Sequence, residues 1–510
     1  MITRRNVLRT ALLGAAAGFT AQPLALGRLA LAAETPDDWK AAFDAALKLD
    51  RRLLGWQGVT VNELATPSLA LAGKLPAELA GTFYRNGPAR HERGGQRYRH
   101  WFDGDGMVQA FRIEDGVIAH RGRFVATAKL AEEEAAGHFI QPAFGTGAVD
   151  GYRGPNAPDE LNPANINLLH HAGELLALWE AGSAHVLDPA NLGTRGKKVW
   201  REDLKGMPFT AHPKVEPDGT LWSFGYDVLS ARLIIYHIGK DGAVRNVGVI
   251  SPPPFGMVHD VAITAKHIVF ALAPFVIERE RFTPETGLLD AHVWKPELSM
   301  RVLAIAKNDL KTTRIWQLPP GFSFHFGNAS EEPDGTIRFD YCLAPDASVV
   351  TETFRYVMRG EFRGATGPTR FARVTLRPGQ ADGEQEVVGT TSEFPRVAPS
   401  VVGQRYRYVY TVDAPSADGF TGVMRWDLES GKTQRFDYGA AVFAEEHVFV
   451  PRPGGRNEDD GWLIGTTLDF ARGVTSVNIF DAAHISDGPL ARGTLPYALP
   501  LGFHGQFVAT

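Results

Sequence analysis

Four histidines lie in similar local settings and have the residue type and spacing to hold one metal ion. They are His212, His259, His325 and His504, each at or near the start of an apolar run typical of a β-strand. In a β-propeller of roughly 50–60 residues per blade, the gaps between them amount to about one, one and three blades, so equivalent inner strands would direct four imidazoles at the central axis. Neutral imidazoles suit iron, zinc, copper and nickel. Because no compact motif such as H-E-x-x-H is present, spacing alone leaves open that each is a core or surface histidine.

Carboxylates next to apolar runs are the second chemical signal. A metal-bound histidine normally donates its other ring N–H to a carboxylate or carbonyl group, which fixes its tautomer. Glu180 follows one apolar run, Glu393 precedes another, and Glu445 and Glu446 precede a third. Taken singly, each suits an exposed loop. Together with the histidines, they are suited to orient the imidazoles of a metal site.

Short strands and tight turns dominate the part of the chain that must position these groups. From about Leu69 onward, Asp-Gly pairs that begin at Asp115, Asp218, Asp241 and Asp334 separate short apolar or alternating runs, as β-hairpins do. Many short, evenly spaced strands predict an all-β fold and favour a β-propeller over a sandwich. No low-complexity linker interrupts them, so we expect residues 34–510 to form a single domain.

Composition excludes several classes of protein. The 510-residue chain is 44% hydrophobic and 22% charged, which supports a large core and excludes wholesale disorder. Its net charge of −5 argues against nucleic acid as the main partner. Cys342 is the single cysteine, so neither an intrachain disulfide nor a thiolate-rich metal site can form.

The N-terminal residues resemble an export signal. Residues 3–9 read TRRNVLR, similar to a twin-arginine motif, and a weakly apolar stretch with a small-residue cleavage site follows. We expect residues 1–33 to be a signal peptide read by the twin-arginine export machinery, which carries folded proteins, and we expect the mature protein to be periplasmic. The alternative is a disordered N-terminus with chance arginines.

An apolar stripe follows the signal. Trp39, Phe43 and Leu47 recur every four residues after Thr35, which can cap a helix. One interpretation is a helix packed on the body of the protein. The other is peripheral contact with a membrane surface, where a greasy substrate would be collected.

Several segments resemble the signature motifs of the carotenoid cleavage oxygenases. Residues 81–88 read GTFYRNGP, residues 100–107 read HWFDGDGM, and the stretch from Asn162 to Glu180 is similar as well. The settings of the four histidines match that family in the same order. The resemblance runs from about residue 60 to the C-terminus.

This resemblance implies both a fold and a cofactor. The fold would be a seven-bladed β-propeller capped by loops and short helices, with one non-haem Fe(II) per chain on its axis. The four iron ligands would be His212, His259, His325 and His504, and the three glutamates that hold ligand imidazoles would be Glu180, Glu393 and Glu446. No side chain beyond this metal site is needed as a general acid or base.

Two positions depart from the family pattern. Glu446 is preferred to Glu445 because it stands at the right distance from the following Phe-Val-Pro. His447 replaces a proline, which puts the local turn in doubt and adds a fifth imidazole nearby. Ser330 replaces an aromatic residue, so the pocket wall near His325 is expected to differ.

The implied chemistry is cleavage of a C=C bond by O2 into two carbonyl products. Residues 175–182 look most like bacterial apocarotenoid oxygenases, so the expected substrate is an apocarotenoid or carotenoid polyene. The alternative is a phenolic stilbene, as in lignostilbene-cleaving members, which hold the substrate phenolate with a tyrosine and a lysine. Lys129 falls where that lysine is expected and Tyr98 is the candidate tyrosine; the other interpretation of Lys129 is a solvated side chain beside three glutamates.

Two functions of other classes stay open. A propeller can bind apolar ligands or proteins without chemistry, and a zinc ion on the four histidines would suit a hydrolase. Metal analysis separates both from an iron oxygenase.

Overall fold

Antiparallel β-sheets make up most of the protein. The computed structural model describes residues 36–148, 157–228, 230–283, 285–414 and 419–510. The expected signal peptide, residues 1–33, lies outside the described residues. Every strand pairing in the named sheets is antiparallel, so the predicted all-β class is confirmed. No helix within the described ranges is long and apolar enough to cross a membrane.

Six larger sheets follow one another along the chain. Sheet 1 contains Glu63–Thr66, Gly81–Arg85, Pro88–Arg90, Asp105–Glu114, Val117–Phe124 and Gly505–Ala509. Sheet 2 contains Asn167–His171, Glu174–Leu178, His185–Leu187 and Thr194–Lys197. Sheet 3 contains Lys214–Val215, Leu221–Asp227, Arg232–Ile238 and Val244–Ile250. Sheet 4 contains Ala262–Ile263, His267–Leu272, Met300–Ala306 and Thr313–Leu318.

The last two large sheets are longer. Sheet 5 contains Phe322–Glu331, Ile337–Ala344, Arg370–Leu376, Glu384–Arg396, Tyr408–Ala414, Gly422–Asp427 and Thr433–Asp437. Sheet 6 contains Ala70–Gly73, Val442–Pro451, Gly461–Asp469, Val474–Asp481 and Ala491–Thr494. Two small hairpins pair Glu92–Arg93 with Gln96–Arg97 and Phe275–Ile277 with His292–Trp294.

Both ends of the chain meet in the same two sheets. Gly81–Arg85 pairs with Gly505–Ala509 in sheet 1, and Ala70–Gly73 pairs with Ala491–Thr494 in sheet 6. The residues just before the C-terminal strand are therefore held by the N-terminal part of the body.

Apolar side chains from neighbouring sheets form the core. Leu176 of sheet 2 packs with Leu221 and Ile234 of sheet 3, and Phe224 of sheet 3 packs with Phe270 of sheet 4. Burying each such side chain contributes roughly 1.5–3 kcal/mol, so the contacts between sheets fix where the strand ends lie.

Helices are few and short in the part of the chain that the structure describes. The α-helices are Pro36–Leu47 (α1), Ala128–Ala136 (α2) and Phe354–Tyr356 (α3). The 3-10 segments are Arg51–Trp56, Trp101–Asp103, Pro158–Glu160, Glu202–Leu204, Arg279–Arg281, Leu288–Ala291, Pro296–Leu298, Val357–Arg359, Pro399–Val401 and Ile485–Asp487, and a π-helical turn spans Val349–Thr353.

The first helix bears on the expected apolar stripe, and the second carries Lys129. In α1, Trp39 and Phe43 are buried in one cluster with Leu53 and Met358, so this stripe packs on the body. Membrane contact through the buried stripe is therefore wrong. In α2, Thr127 caps the first turn through a hydrogen bond from the Leu130 backbone N–H, 3.0 Å.

Candidate metal centre

The four histidines singled out from the sequence lie together. One ring nitrogen from each of His212, His259, His325 and His504 falls within 4.8 Å of the others, and all four side chains are buried. His325 belongs to a strand of sheet 5, while the other three lie in loops just before strands of sheets 3, 4 and 1. The cluster thus draws on four separate sheets.

Three glutamates hold the outer nitrogens of three of these rings. Nδ1 of His259 pairs with Glu180, Nδ1 of His325 lies 2.5 Å from Glu393, and Nδ1 of His504 lies 2.8 Å from Glu446. An ionised carboxylate only accepts, so a ring paired with a charged glutamate carries its proton on Nδ1 and presents a lone pair at Nε2.

Those lone pairs converge on one point. Nε2 of His325 lies 3.2 Å from Nε2 of His259 and 3.1 Å from Nε2 of His504. The buried Nε2 of His212 has no hydrogen-bond partner among the described residues. Acceptors that face one another with no donor between them repel. A cation bound between these lone pairs would remove the repulsion, so these residues fit a single metal ion.

Burial keeps three of these rings neutral. It lowers the pKa of His212 and of His325 well below the ordinary value. Burial also lowers the pKa of His504 to about 4, although the Glu446 carboxylate acts in the opposite direction. A histidine must be neutral to bind a metal, so these three rings are ready to bind near neutral pH.

The fourth ring has a different partner, which the sequence did not reveal. Nδ1 of His212 lies 3.9 Å from Oδ1 of Asp260, the residue that follows His259. Asp260 is held in turn by Lys214, 2.7 Å, and by the backbone N–H of Phe326, 2.9 Å. The sequence offered one signal for this contact, because Asp260 is an acidic residue directly adjacent to His259.

The three glutamates differ in their remaining contacts. Glu446 also accepts from Arg396 and from the backbone N–H of Gly505, both at 2.8 Å. Burial raises the pKa of Glu446, but Arg396 and His504 outweigh burial and hold that pKa well below the usual range. Glu393 accepts from the backbone N–H of Phe394, 2.8 Å, and burial raises its pKa to about 8. Arg396 therefore favours the charged form of Glu446, whereas no described lysine or arginine pairs with Glu393.

A large cavity reaches the histidine cluster. Its volume is about 1140 Å³, and His259, His325 and His504 form part of its wall. Aromatic and apolar side chains make up most of the rest: Trp56, Trp101, Phe102, Phe144, Leu161, Ile166, Trp179, Tyr226, Met257, Phe324, Val349, Phe354, Phe362, Phe394, Phe420, Phe443, Leu501 and Phe503. The space suits an elongated apolar molecule more than a polar one.

Lys129 and Tyr98 are neighbours, as the stilbene alternative requires, but they are not free. Lys129 is 1% exposed, lies on the cavity wall, and donates to Asp105 and Glu133 at 3.0 Å each and to the Tyr98 hydroxyl. The interpretation of Lys129 as a solvated side chain is therefore wrong. Tyr98 is buried, does not belong to the cavity wall among the described residues, and donates to Glu133 at 3.0 Å.

The two departures from the family pattern have different outcomes. Ser330 pairs with Arg338 in sheet 5 and is absent from the described cavity wall, so the expected change in the pocket wall is wrong. His447 is buried beside Glu445 and Glu446 in sheet 6.

Known oxygenases are similar to this chain in sequence. Residues 59–509 match the family model described as retinal pigment epithelial membrane protein. The chain is 32% identical over 463 residues to apocarotenoid-15,15'-oxygenase of Synechocystis sp., a match that covers 86% of this chain and 92% of the relative. It is 29% identical over 471 residues to lignostilbene-alpha,beta-dioxygenase isozyme III of Sphingomonas paucimobilis, with 86% and 93% covered.

A solved structure with a metal shares the fold. The crystal structure of cobalt-substituted Synechocystis apocarotenoid oxygenase superposes with a TM-score of 0.81 at 28% identity, covering 93% of this chain and 99% of that one. The family model spans most of the chain and the relatives align over nearly their whole length, so the chain belongs to the retinal pigment epithelial membrane protein family of carotenoid cleavage oxygenases.

Proposed function

We propose that this chain is an Fe(II)-dependent dioxygenase that cleaves a C=C bond of an apocarotenoid or carotenoid polyene with O2. One observation carries the proposal: four buried imidazoles lie together, and those of His259, His325 and His504 form part of the wall of an apolar cavity of about 1140 Å³. The named relatives act as oxygenases on polyenes and on stilbenes, which supports the reaction class.

The reaction balances without a further reductant. One O2 adds one oxygen atom to each carbon of the broken C=C bond, and two carbonyl products leave. Iron on His212, His259, His325 and His504 would supply the redox chemistry with O2. Four protein ligands leave coordination positions open if the geometry is octahedral.

The protein's own contribution is to place the substrate and exclude water. Phe324 and Phe394 lie beside the histidines on the cavity wall, and the Phe394 ring stacks on His325 with centroids 5.2 Å apart. Flat aromatic walls favour a flat conjugated chain and hold one double bond near the metal. In this proposal no side chain acts as a general acid or base.

The environment of Lys129 favours a polyene over a phenolic stilbene. An ammonium group has three N–H donors, and here Tyr98, Asp105 and Glu133 accept all three. A phenolate at this wall would gain no donor from Lys129 and would meet two carboxylates. Stilbene cleavage therefore remains the second candidate, supported by the relative from Sphingomonas paucimobilis.

The fold proposal is a seven-bladed propeller with a cap, formed by residues 34–510. Sheet 5 has enough strands for two blades that share Glu384–Arg396, and register shifts occur on both sides of that strand. The other five large sheets would supply one blade each. Strands from both chain ends would close the ring in sheets 1 and 6, and α1 and α3 would form part of the cap.

Export completes the proposal. The twin-arginine motif in residues 3–9 supports recognition by the export machinery, cleavage near residue 33 and a periplasmic enzyme. Peripheral membrane contact would use cavity-mouth residues such as Phe282, which is exposed, rather than the buried stripe of α1. N-terminal sequencing of the mature protein from its host tests the export step.

Product analysis tests the reaction. The full chain is loaded with Fe(II), supplied with ¹⁸O2, and offered an apocarotenal and 4-hydroxystilbene in equal amounts. We expect shortened apocarotenoid aldehydes, with ¹⁸O in the newly formed carbonyl groups as far as exchange with water allows. The variant H325A, which removes one imidazole, should give none. Hydroxybenzaldehyde alone would establish the stilbene alternative, and no product from either substrate with a fully iron-loaded protein would refute both.

A further inference from the structure

Two consecutive glutamates reach the same backbone segment. Glu445 accepts from the backbone N–H of Gly502, 3.0 Å, and Glu446 accepts from that of Gly505, 2.8 Å. His504 lies between these two glycines. Both glutamate side chains are buried.

An uninterrupted strand cannot make this arrangement. Adjacent residues in a strand point to opposite faces, so only one of two neighbouring glutamates would turn inward. Here Ala444 pairs with Thr467 and His447 pairs with Gly465, so three steps on one strand face two on the other. This β-bulge re-aims the extra residue and allows both carboxylates to reach the segment.

The imidazole of His447 stabilises the bulge from within. Its Nδ1 lies 2.7 Å from the carbonyl oxygen of Glu445, and its Nε2 lies 2.8 Å from the hydroxyl of Tyr438. The carbonyl fixes the proton on Nδ1, and Tyr438 then donates to Nε2. A Cβ added at Gly465 would lie 2.4 Å from this ring, so the opposite strand leaves room for the ring only because it has glycine there.

Glu445 also joins this segment to the N-terminal part of the body. Nη1 of Arg85 donates to Oε2 of Glu445 at 2.7 Å, and Nη2 donates to Oε1. Arg85 in turn pairs with Gly505 across sheet 1. Because the Arg85–Glu445 pair is buried and bidentate, it fixes the orientation of the Glu445 carboxylate.

Every backbone N–H around His504 has a partner. Gly502 and Gly505 donate to the two glutamates, Phe503 donates to the Asn86 carbonyl at 2.9 Å, and His504 donates to the Ile166 carbonyl at 3.2 Å. A segment bonded at each residue leaves the imidazole little freedom to move away from the cluster.

We propose that Glu445 is a positioning residue for His504, acting through the backbone of Gly502, and that His447 and Tyr438 set the bulge that makes this possible. The inference rests on the proposed metal centre. It gives Glu445 a role that is separate from that of Glu446, which contacts the imidazole itself. It also explains why an imidazole can stand where the family pattern has proline.

Cobalt binding tests the inference without turnover. The metal-free full chain is titrated with Co(II), and the visible absorption of the bound ion gives both affinity and ligand geometry. In E445Q the side chain keeps its size, but its charge is lost and Arg85 is left without an anion. Partners of this kind typically contribute 10–100-fold in metal affinity, so we expect cobalt affinity to fall at least about tenfold with an altered cobalt spectrum.

A matched control and a milder variant complete the test. Glu458 also accepts from two backbone N–H groups, those of Arg407 and Tyr408, and is not a neighbour of the histidine cluster. E458Q should bind cobalt as the parent does. Y438F leaves every carboxylate in place and should weaken cobalt binding about fivefold, the equivalent of one hydrogen bond, so it decides the matter if E445Q does not fold.

The outcomes separate the inference from the proposed function. Cobalt affinity and spectrum unchanged in a folded E445Q, or unchanged in Y438F if E445Q does not fold, would overturn the role of Glu445 while leaving the metal centre intact. A parent protein that binds no cobalt would instead refute the metal centre itself. A loss in E445Q that E458Q does not share supports the inference.

Discussion

Tyr226 donates a hydrogen bond to Glu180, with 3.2 Å between Oη and Oε2, and so connects the cavity wall to a ligand histidine. Glu180 pairs with His259 through its other oxygen. Tyr226 therefore supports His259 through Glu180.

Replacing Tyr226 with phenylalanine tests this link. The ring and its packing remain, but Glu180 loses a donor. One lost hydrogen bond of about 1 kcal/mol corresponds to about a fivefold loss in cobalt affinity. A cobalt titration of the folded Y226F variant measures it. A change confined to KM for substrate, with cobalt affinity unchanged, would assign Tyr226 to the substrate alone.

The glutamates that hold His325 and His504 should respond differently to loss of charge. In E446Q the partly exposed Arg396 loses its anion and Gly505 loses its acceptor, whereas Glu393 has an oxygen without a partner that a glutamine amide can replace. The hydrogen bonds to Glu446 are charge-assisted, so loss of its charge weakens more contacts than loss of the charge of Glu393. We expect cobalt affinity to fall about 100-fold in E446Q and about tenfold in E393Q. Isothermal titration of both variants measures the two losses, and the reverse order would show that Arg396 does not support Glu446.

The sequence predicted the residues of the site better than it predicted the residues that hold them in place. The histidines and the three glutamates stand in recognisable motifs. The structure pairs Glu180 with His259, Glu393 with His325 and Glu446 with His504. The distinction between Glu445 and Glu446 depended on spacing, and the structure places Glu446 on His504 and Glu445 on Arg85. Local motifs identify the candidate ligands because each occupies a fixed place in a strand or just before one.

What the sequence did not predict depends on contacts between distant segments. Tyr226 meets Glu180 only because sheets 2 and 3 pack side by side, and no local pattern marks that meeting. The run Glu132–Glu134 suggested solvent, yet Glu133 is fully buried because α2 turns it toward Lys129 and Arg93. Burial of a charged residue depends on its partner, and here Asp105 and Arg93 come from outside the helix.

A buried carboxyl group away from the cavity should make stability depend on pH. Burial raises the pKa of Asp340 to about 7, although the hydroxyl of Tyr406 donates to it and Arg373 favours its charged form. The unfolded group has a pKa of about 3.9, so the folded protein binds this proton more tightly. Its contribution to stability is complete below about pH 4 and is lost as pH rises through about 7.

The variant D340N removes that titration. From pH 5 to pH 8, the parent should lose up to a few kcal/mol of unfolding free energy that D340N does not lose, as measured by urea denaturation. The control is D309N. Asp309 is exposed and has a pKa of about 2, so its carboxyl group does not titrate in this range. Equal pH dependence in the parent and D340N would show that Asp340 stays in one protonation state throughout.

The saturated environment of Lys129 predicts how the cavity treats phenols. All three donors of the ammonium are used within the protein, so a substrate hydroxyl at this wall gains no charge-assisted bond. We expect 4-hydroxystilbene and its methyl ether to bind with dissociation constants within about threefold of each other, well below the tenfold of a 1.4 kcal/mol contact. Fluorescence titration of the cobalt-loaded protein measures both. In Y98F, which keeps Asp105 and Glu133 on Lys129, polyene turnover should stay within the same range. Tenfold tighter binding of the phenol that disappears in Y98F would establish Tyr98 and Lys129 as substrate anchors and make stilbene cleavage the better assignment.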